Sequence, residues 1–198
     1  MPLLSDRAGK TSEVVVLSAS TEDPGKAPPG LLRFGLWLIC ASISAFFTAL
    51  VIAYYWRKGS PGIWDQIALP GTLWISTAII LASSGVFEAA RRTYGRGRHA
   101  AAARLLLVTG CLGLAFLAAQ MSAWRTLVAR GAYLEQNPYS GFFYLFTGLH
   151  AAHLVGGLVA LGFVVLARAP RRELVDCAAF YWHFLGVLWI ALFVVLSH

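Results

Sequence analysis

Apolar residues in this chain follow neither the two-residue period of a half-buried strand nor the stripe of an amphipathic helix. They come in long unbroken runs. Five runs stand out, at 34–56, 69–90, 105–124, 142–167 and 177–197. Each holds about the 20 residues that a helix rising 1.5 Å per residue needs to cross a hydrocarbon core of some 30 Å. Each is apolar on every face, unlike a helix lying on a soluble core. The pattern predicts an all-α, polytopic membrane protein built as a five-transmembrane-helix bundle. The links between runs are short and punctuated: Arg57–Ala68 with Gly59, Pro61 and Gly62; Arg91–Arg104; Arg125–Gly141 with Asn137 and Pro138; and Arg168–Asp176 with Pro170. Residues 1–30 differ, mixing Ser, Thr, Gly, Pro and both charge signs. Their only apolar run, Val14–Leu17, is too short for a signal-peptide core. They are expected to form a flexible cytoplasmic tail, leaving 31–198 as one membrane domain.

Composition narrows the class further. Of 198 residues, 58% are hydrophobic and 13% charged, against about a quarter charged in a soluble domain. Such a chain can bury its apolar surface only in lipid. The net charge of +7 raises nucleic acid as a partner, but the basic residues lie mostly between the apolar runs, where they act as topology signals. No nucleic-acid partner is expected. Twelve of the sixteen fall on one side of the predicted membrane: Arg7, Lys10, Lys26, Arg33, Arg91, Arg92, Arg96, Arg98, Arg104, Arg168, Arg171 and Arg172. Only Arg57, Lys58, Arg125 and Arg130 fall opposite. The positive-inside rule then puts the N-terminus in the cytoplasm and the C-terminus outside, in the periplasm. Trp56, Trp64, Trp124 and Tyr133 near the outer ends, and Tyr94 near an inner end, fit interfacial anchoring.

Polar side chains inside lipid are costly, so each needs an account. The fourth run carries Thr147, His150 and His153, spaced every three residues and expected to share one helix stripe. Gly156 and Gly157 follow, and Ala152 with Gly156 forms a small-xxx-small pair that would let another helix approach closely. The fifth run opens with Phe180-Tyr181-Trp182-His183-Phe184 and adds a third intramembrane histidine. Three histidines raise metal or haem ligation, which would require them to converge. The other reading, which we favour, is that neutral imidazoles hydrogen-bond between helices where water is absent. Glu88 is the one carboxylate clearly within a run, with Arg91 and Arg92 at i+3 and i+4 for a local ion pair; a proton-relay role is the alternative. Ser83 and Ser84 can bond to their own backbone one turn earlier. Cys40, Cys111 and Cys177 lie apart without CxxC spacing and are expected to pack as small apolar residues. The sequence holds no Gly-rich phosphate loop, no nucleophile–base pair and no acid pair within one apolar segment.

These residues resemble a family. Phe143–Gly157, reading FYLFTGLHAAHLVGG, is similar to the histidine block of haem–copper oxidase subunit III, and Tyr181-Trp182-His183-Phe184 with Trp189 and Phe193 is similar to that family's closing block. Leu81–Gly85, Gln120–Trp124, and Phe46-Phe47 with Ala53-Tyr54 resemble its other helices, so the likeness covers about 30–198. The resemblance is to the short, five-helix bacterial type. It implies an accessory subunit of a respiratory electron-transport complex in the bacterial inner membrane. Such a subunit packs on catalytic subunit I, with subunit II also a neighbour, and stabilises the proton-uptake side. Basic loops and the tail would shape that surface electrostatically. It further implies phospholipid contacts, with haem and copper in partner subunits and no catalytic, cofactor-binding or metal-ligating residue here. Thr147, His150, His153, Gly157, Tyr181, Trp182, His183 and Trp189 would be the structural signature that ties the last two helices together. Three family acids are replaced, by Ile43, Ala123 and Gly186, which suggests an apolar interior and removes any proton role they carried. Two other readings stand beside this one. The chain could accompany a nitric oxide reductase, or be an independent small transporter or haem-binding protein, although no internal repeat supports a transporter.

Overall fold

The computed structural model describes residues 30–62, 64, 68–131, 137–167 and 170–198. The tail over 1–29, Tyr133 and Arg168 lie outside the described residues. Every regular element among the described residues is an α-helix: α1 Leu31–Lys58, α2 Thr72–Gly95, α3 His99–Ala129, α4 Pro138–Leu166 and α5 Arg172–Ser197. All five are long and apolar enough to cross a membrane, as the apolar runs predict. Lipid supplies no hydrogen bonds, and a helix satisfies its backbone internally, so an apolar run in lipid folds this way.

The helices run 24 to 31 residues, or about 36 to 46 Å at 1.5 Å per residue. At most ends they extend beyond the predicted spans. At two ends they stop short. α2 begins at Thr72, after a turn in which Leu73 N–H and Trp74 N–H donate to Pro70 and Gly71 carbonyls. At the end of α4, Ala167 turns to an extended conformation. The other ends follow local chemistry. Asn137 caps α4 by accepting from Tyr139 N–H at 3.0 Å, with Pro138 as the first helical residue. The α2–α3 turn needs Gly97, whose φ of 76° a side chain rarely adopts.

Helices α2, α3, α4 and α5 form a ring in which each touches the next and α5 closes on α2; α1 rests on α4 and α5. The most extensive pairing is α2 with α3. Ser76, Ser83 and Ala90 recur every seven residues on α2, and Ala102, Thr109, Phe116 and Ala123 every seven on α3; all are fully buried. That is the spacing of a coiled-coil seam, here made mostly of small residues that let the backbones approach. At the opposite end of the core, Tyr54 of α1 is enclosed by Trp64, Tyr139, Phe142 and Phe146, at ring distances of 5.2 to 6.5 Å.

The expected aromatic anchors divide. Trp56 is 75% exposed and faces outward. Trp64 packs on Tyr54 and Tyr139, Trp124 bonds to Thr147, and Tyr94 donates to the Pro170 carbonyl. These three tether elements to one another, because each indole or phenol finds a ring or an acceptor on a neighbouring segment.

Candidate functional site

The histidine block does not present one stripe to one neighbour. A step of three residues turns a helix by 300°, so two steps fan the side chains across about 120°. Thr147 meets α3: its hydroxyl donates to the Phe143 carbonyl at 2.7 Å and accepts from Trp124 Nε1 at 3.0 Å. His150 enters the centre of the ring, fully buried, with its imidazole 5.8 Å from the Phe116 ring and 5.2 Å from Trp189. Neither of its ring nitrogens has a hydrogen-bond partner among the described residues. His153 turns toward α1. Its Nδ1 lies 2.7 Å from the Leu149 carbonyl of its own helix, and its ring is 5.7 Å from Phe47. The expected imidazole bonding between helices is therefore absent at His150, where packing against aromatic rings takes its place. At His153 the interhelical bond belongs to the backbone, whose carbonyl accepts from Tyr181 Oη at 3.3 Å.

The glycine expectation also changes. Ala152 and Gly156 are exposed, and a Cβ on Gly156 would meet nothing within 4 Å. Gly157, one residue on, faces α5, where a Cβ would sit 3.2 Å from Leu185 and 3.3 Å from Tyr181. One residue shifts the face by 100°, so the small pair points away from the bundle while its neighbour makes the close approach.

In the closing block, two buried indoles reach across the bundle to α2. Trp182 Nε1 donates to Ser83 Oγ at 3.0 Å, and Trp189 Nε1 donates to Thr77 Oγ1 at 2.9 Å. Ser83 in turn donates to the Thr109 carbonyl of α3 at 3.4 Å, so it links three helices, where a bond to its own backbone was expected. The benzo edge of Trp182 fills the space over Gly113 of α3. The signature residues thus engage α1, α2 and α3 as well as joining α4 to α5.

His183 is half-buried, with Nε2 3.8 Å from Glu88 Oε2. Glu88 is held by Arg91 through two bonds of 2.8 and 2.9 Å, and by Arg92 Nε at 2.7 Å. Arg91 also reaches Asp176 Oδ1 at 3.3 Å, and Arg172 Nε lies 3.9 Å from Asp176 Oδ2. This network stitches α2 to α5. Asp176 escaped the sequence reading because it sits at a run's boundary; the i+4 spacing from Arg172 was the available signal.

The three positions of the missing family acids are all interior. Ile43 and Ala123 are buried, and a Cβ on Gly186 would lie 3.2 Å from Ser84 Oγ. A lone carboxylate at any of them would be desolvated. The residues do not fit a haem or metal ion either. His150, His153 and His183 face different neighbours, and no three His, Cys, Asp or Glu among the described residues are grouped to hold an ion. The cysteines are free and separate.

What emerges is a polytopic helical membrane protein whose interior is packed with aromatic and small residues, cross-tied by indole–hydroxyl bonds. The family model for cytochrome c oxidase subunit III matches residues 24–198. Similar proteins include the cytochrome bo(3) ubiquinol oxidase subunit 3 of Pseudomonas aeruginosa, 29% identical over 82% of this chain and 82% of that one. The probable cytochrome c oxidase subunit 3 of Mycobacterium bovis is 30% identical over 85% and 88%, and the cytochrome c oxidase subunit 3 of Synechocystis 29% over 89% and 81%. This chain belongs to the cytochrome c oxidase subunit III family.

Proposed function

We propose that this chain is an accessory, non-catalytic subunit of a respiratory haem–copper oxidase in a bacterial inner membrane. It would pack beside catalytic subunit I, with subunit II as a further neighbour and phospholipid around its outer face. The observation that carries the reading is the use made of the polar interior. Every histidine and indole of the two family blocks is committed to packing or to tying helices: His150 between two rings, Trp182 and Trp189 to α2 hydroxyls, His183 beside an ion-paired carboxylate. Oxygen reduction then falls to haem and copper in the neighbouring subunits. Both kinds of electron donor occur among the names of the similar proteins, so the reading is of an oxidase subunit whichever donor the complex uses.

The orientation follows the charge asymmetry, with the N-terminus and the α2–α3 and α4–α5 turns in the cytoplasm. In that orientation the Glu88–Arg91–Asp176 network lies on the proton-uptake side, where it fixes the inner ends of α2 and α5. The test is purification of the oxidase from cells with and without this chain. Loss of yield or a shortened working lifetime of subunit I is the expected result; equal yield, turnover and lifetime would overturn it. Iron and copper analysis of the isolated chain is expected to find neither at stoichiometric level.

A further inference from the structure

The arginines at one end of the bundle fall into two groups. Arg33, Arg91, Arg92 and Arg172 each have a carboxylate within 4 Å. Arg171, and Arg96, Arg98 and Arg104 around the α2–α3 turn, have no ion pair among the described residues. Two of them, Arg98 and Arg104, line a shallow recess of about 340 Å³ with Thr93, Ala101 and Leu105. The Thr93 hydroxyl proton is committed to the Ala89 carbonyl at 2.7 Å, so the side-chain donors free to turn into the recess are guanidiniums. Ala101 and Leu105 supply its apolar lining. Below Arg104, α3 presents Leu107, Val108, Cys111 and Leu114 on its exposed surface, a track that ends ten residues, or about 15 Å, along the helix from Arg104.

We propose that this recess seats the phosphate of an anionic glycerophospholipid, clamped by Arg98 and Arg104, with an acyl chain lying along Leu107, Val108 and Leu114. A guanidinium matches a phosphate through two parallel N–H···O bonds. Two guanidiniums with no counter-ion among the described residues favour a headgroup with net negative charge over one whose own cation they would repel. The apolar track continuous with the cationic seat distinguishes a lipid from an acidic protein segment, which would have no use for it. The family resemblance implies phospholipid contacts without placing them; this seat is made by α2 and α3 of the chain alone. It requires only that the turn lie at a membrane surface, so it stands whether or not the oxidase reading does.

The experiment titrates the full chain, purified in mild detergent with whatever subunits accompany it, with phosphatidylglycerol and separately with phosphatidylcholine, and counts bound lipid by native mass spectrometry. Phosphatidylglycerol is expected to be preferred, and millimolar inorganic phosphate is expected not to displace it. Each guanidinium near an anionic lipid strengthens binding about fivefold, so Arg98→Gln with Arg104→Gln weakens it about thirtyfold. Arg125→Gln at the other end should change nothing. Should the double variant fail to assemble, photoreactive phosphatidylglycerol on the unaltered chain gives the second measurement, with label expected between 101 and 108. Equal binding of the two lipids, displacement by free phosphate, an unaffected double variant, label elsewhere, or crosslinks from Ala101 to an acidic protein segment would each overturn the proposal.

Discussion

The fit of Trp182 over Gly113 makes a sharp prediction about how α3 and α5 are joined. A Cβ added at Gly113 would lie 2.8 Å from Trp182 Cη2, 3.1 Å from Trp182 Cζ2 and 3.0 Å from Leu158 Cδ2. The Leu158 methyl can rotate away. Trp182 cannot, because it is buried, bonded to Ser83 at 3.0 Å and packed on Phe87 at 5.9 Å. Overpacking of this kind costs about 1–3 kcal/mol, and with a rigid neighbour the upper half applies. Replacing glycine by alanine inside a helix returns about 1 kcal/mol, so Gly113→Ala is expected to destabilise the chain by a net 1–2 kcal/mol, on the order set by those two terms. Gly110→Ala is the control, since its Cβ meets only a Leu161 methyl at 3.7 Å; it should be neutral or stabilising. Trp182→Phe removes the two clashing atoms but loses buried ring atoms, about 2 kcal/mol, and an intramembrane hydrogen bond, about 0.6 kcal/mol. In the double variant the new methyl enters the space left by the ring, so it should be no less stable than Trp182→Phe alone. The coupling is then about 2 kcal/mol, well above the roughly 0.5 kcal/mol scatter of independent sites. Reversible unfolding of the full chain from mild detergent into dodecyl sulfate, followed by circular dichroism, measures all four species. Additive costs, or a neutral Gly113→Ala, would refute the packing described.

His150→Leu is expected to keep or raise stability by about 1 kcal/mol, because the imidazole nitrogens it removes are buried without partners; a loss above about 2 kcal/mol in the same assay would point to a bond the structure does not contain. The adjacent glycines should separate cleanly: Gly156→Leu leaves stability unchanged, whereas Gly157→Leu costs about 3 kcal/mol or prevents assembly, since only the second faces α5. Glu88→Gln is expected to cost on the order of 1 kcal/mol, with the loss growing at low ionic strength, because it leaves Arg92 without its carboxylate and Arg91 with Asp176 alone. An unchanged salt dependence would mean that the Glu88 pairs contribute nothing to stability.

The number and order of the helices were legible because lipid imposes a length and an unbroken apolar run, and both are written plainly in the chain. The ends were less so. The apolar run begins at Leu69, while Pro70 and Gly71 hold the backbone in a turn until Thr72. Within the site, residue types were readable and their directions were not. His150 and His153 are three residues apart, yet one enters the bundle centre and the other turns to Phe47, a difference of helical phase that the spacing alone leaves open. Ser83 illustrates the other limit. A serine in a lone helix has only its own backbone to bond, and nothing local reveals that Trp182, 99 positions away, supplies a donor.

The replaced acids acquire a physical explanation from the same contacts. Ala123 belongs to the seven-residue seam of α3, with Gln120 one turn earlier bonded to Ser76 of α2 at 3.2 Å. Gly186 faces Ser84, and Ile43 lies in the core beside Phe47. A carboxylate at any one of these places would need a cation or several donors to offset its desolvation. The polar groups nearby include the Ser84 hydroxyl beside Gly186 and the Gln120 amide one turn from Ala123, already bonded to Ser76. An interior of this kind is consistent only if all three acids are lost together, because restoring one leaves a buried charge without its partners. Ala123→Glu tests that reasoning, since its residue is fully buried against α2. The variant is expected to lose about 3 kcal/mol or more at neutral pH, and to recover part of it at acidic pH as the buried carboxyl takes up a proton. A variant as stable as the parent at neutral pH would mean that water or a cation reaches this part of the bundle, and the apolar account of the interior would fail.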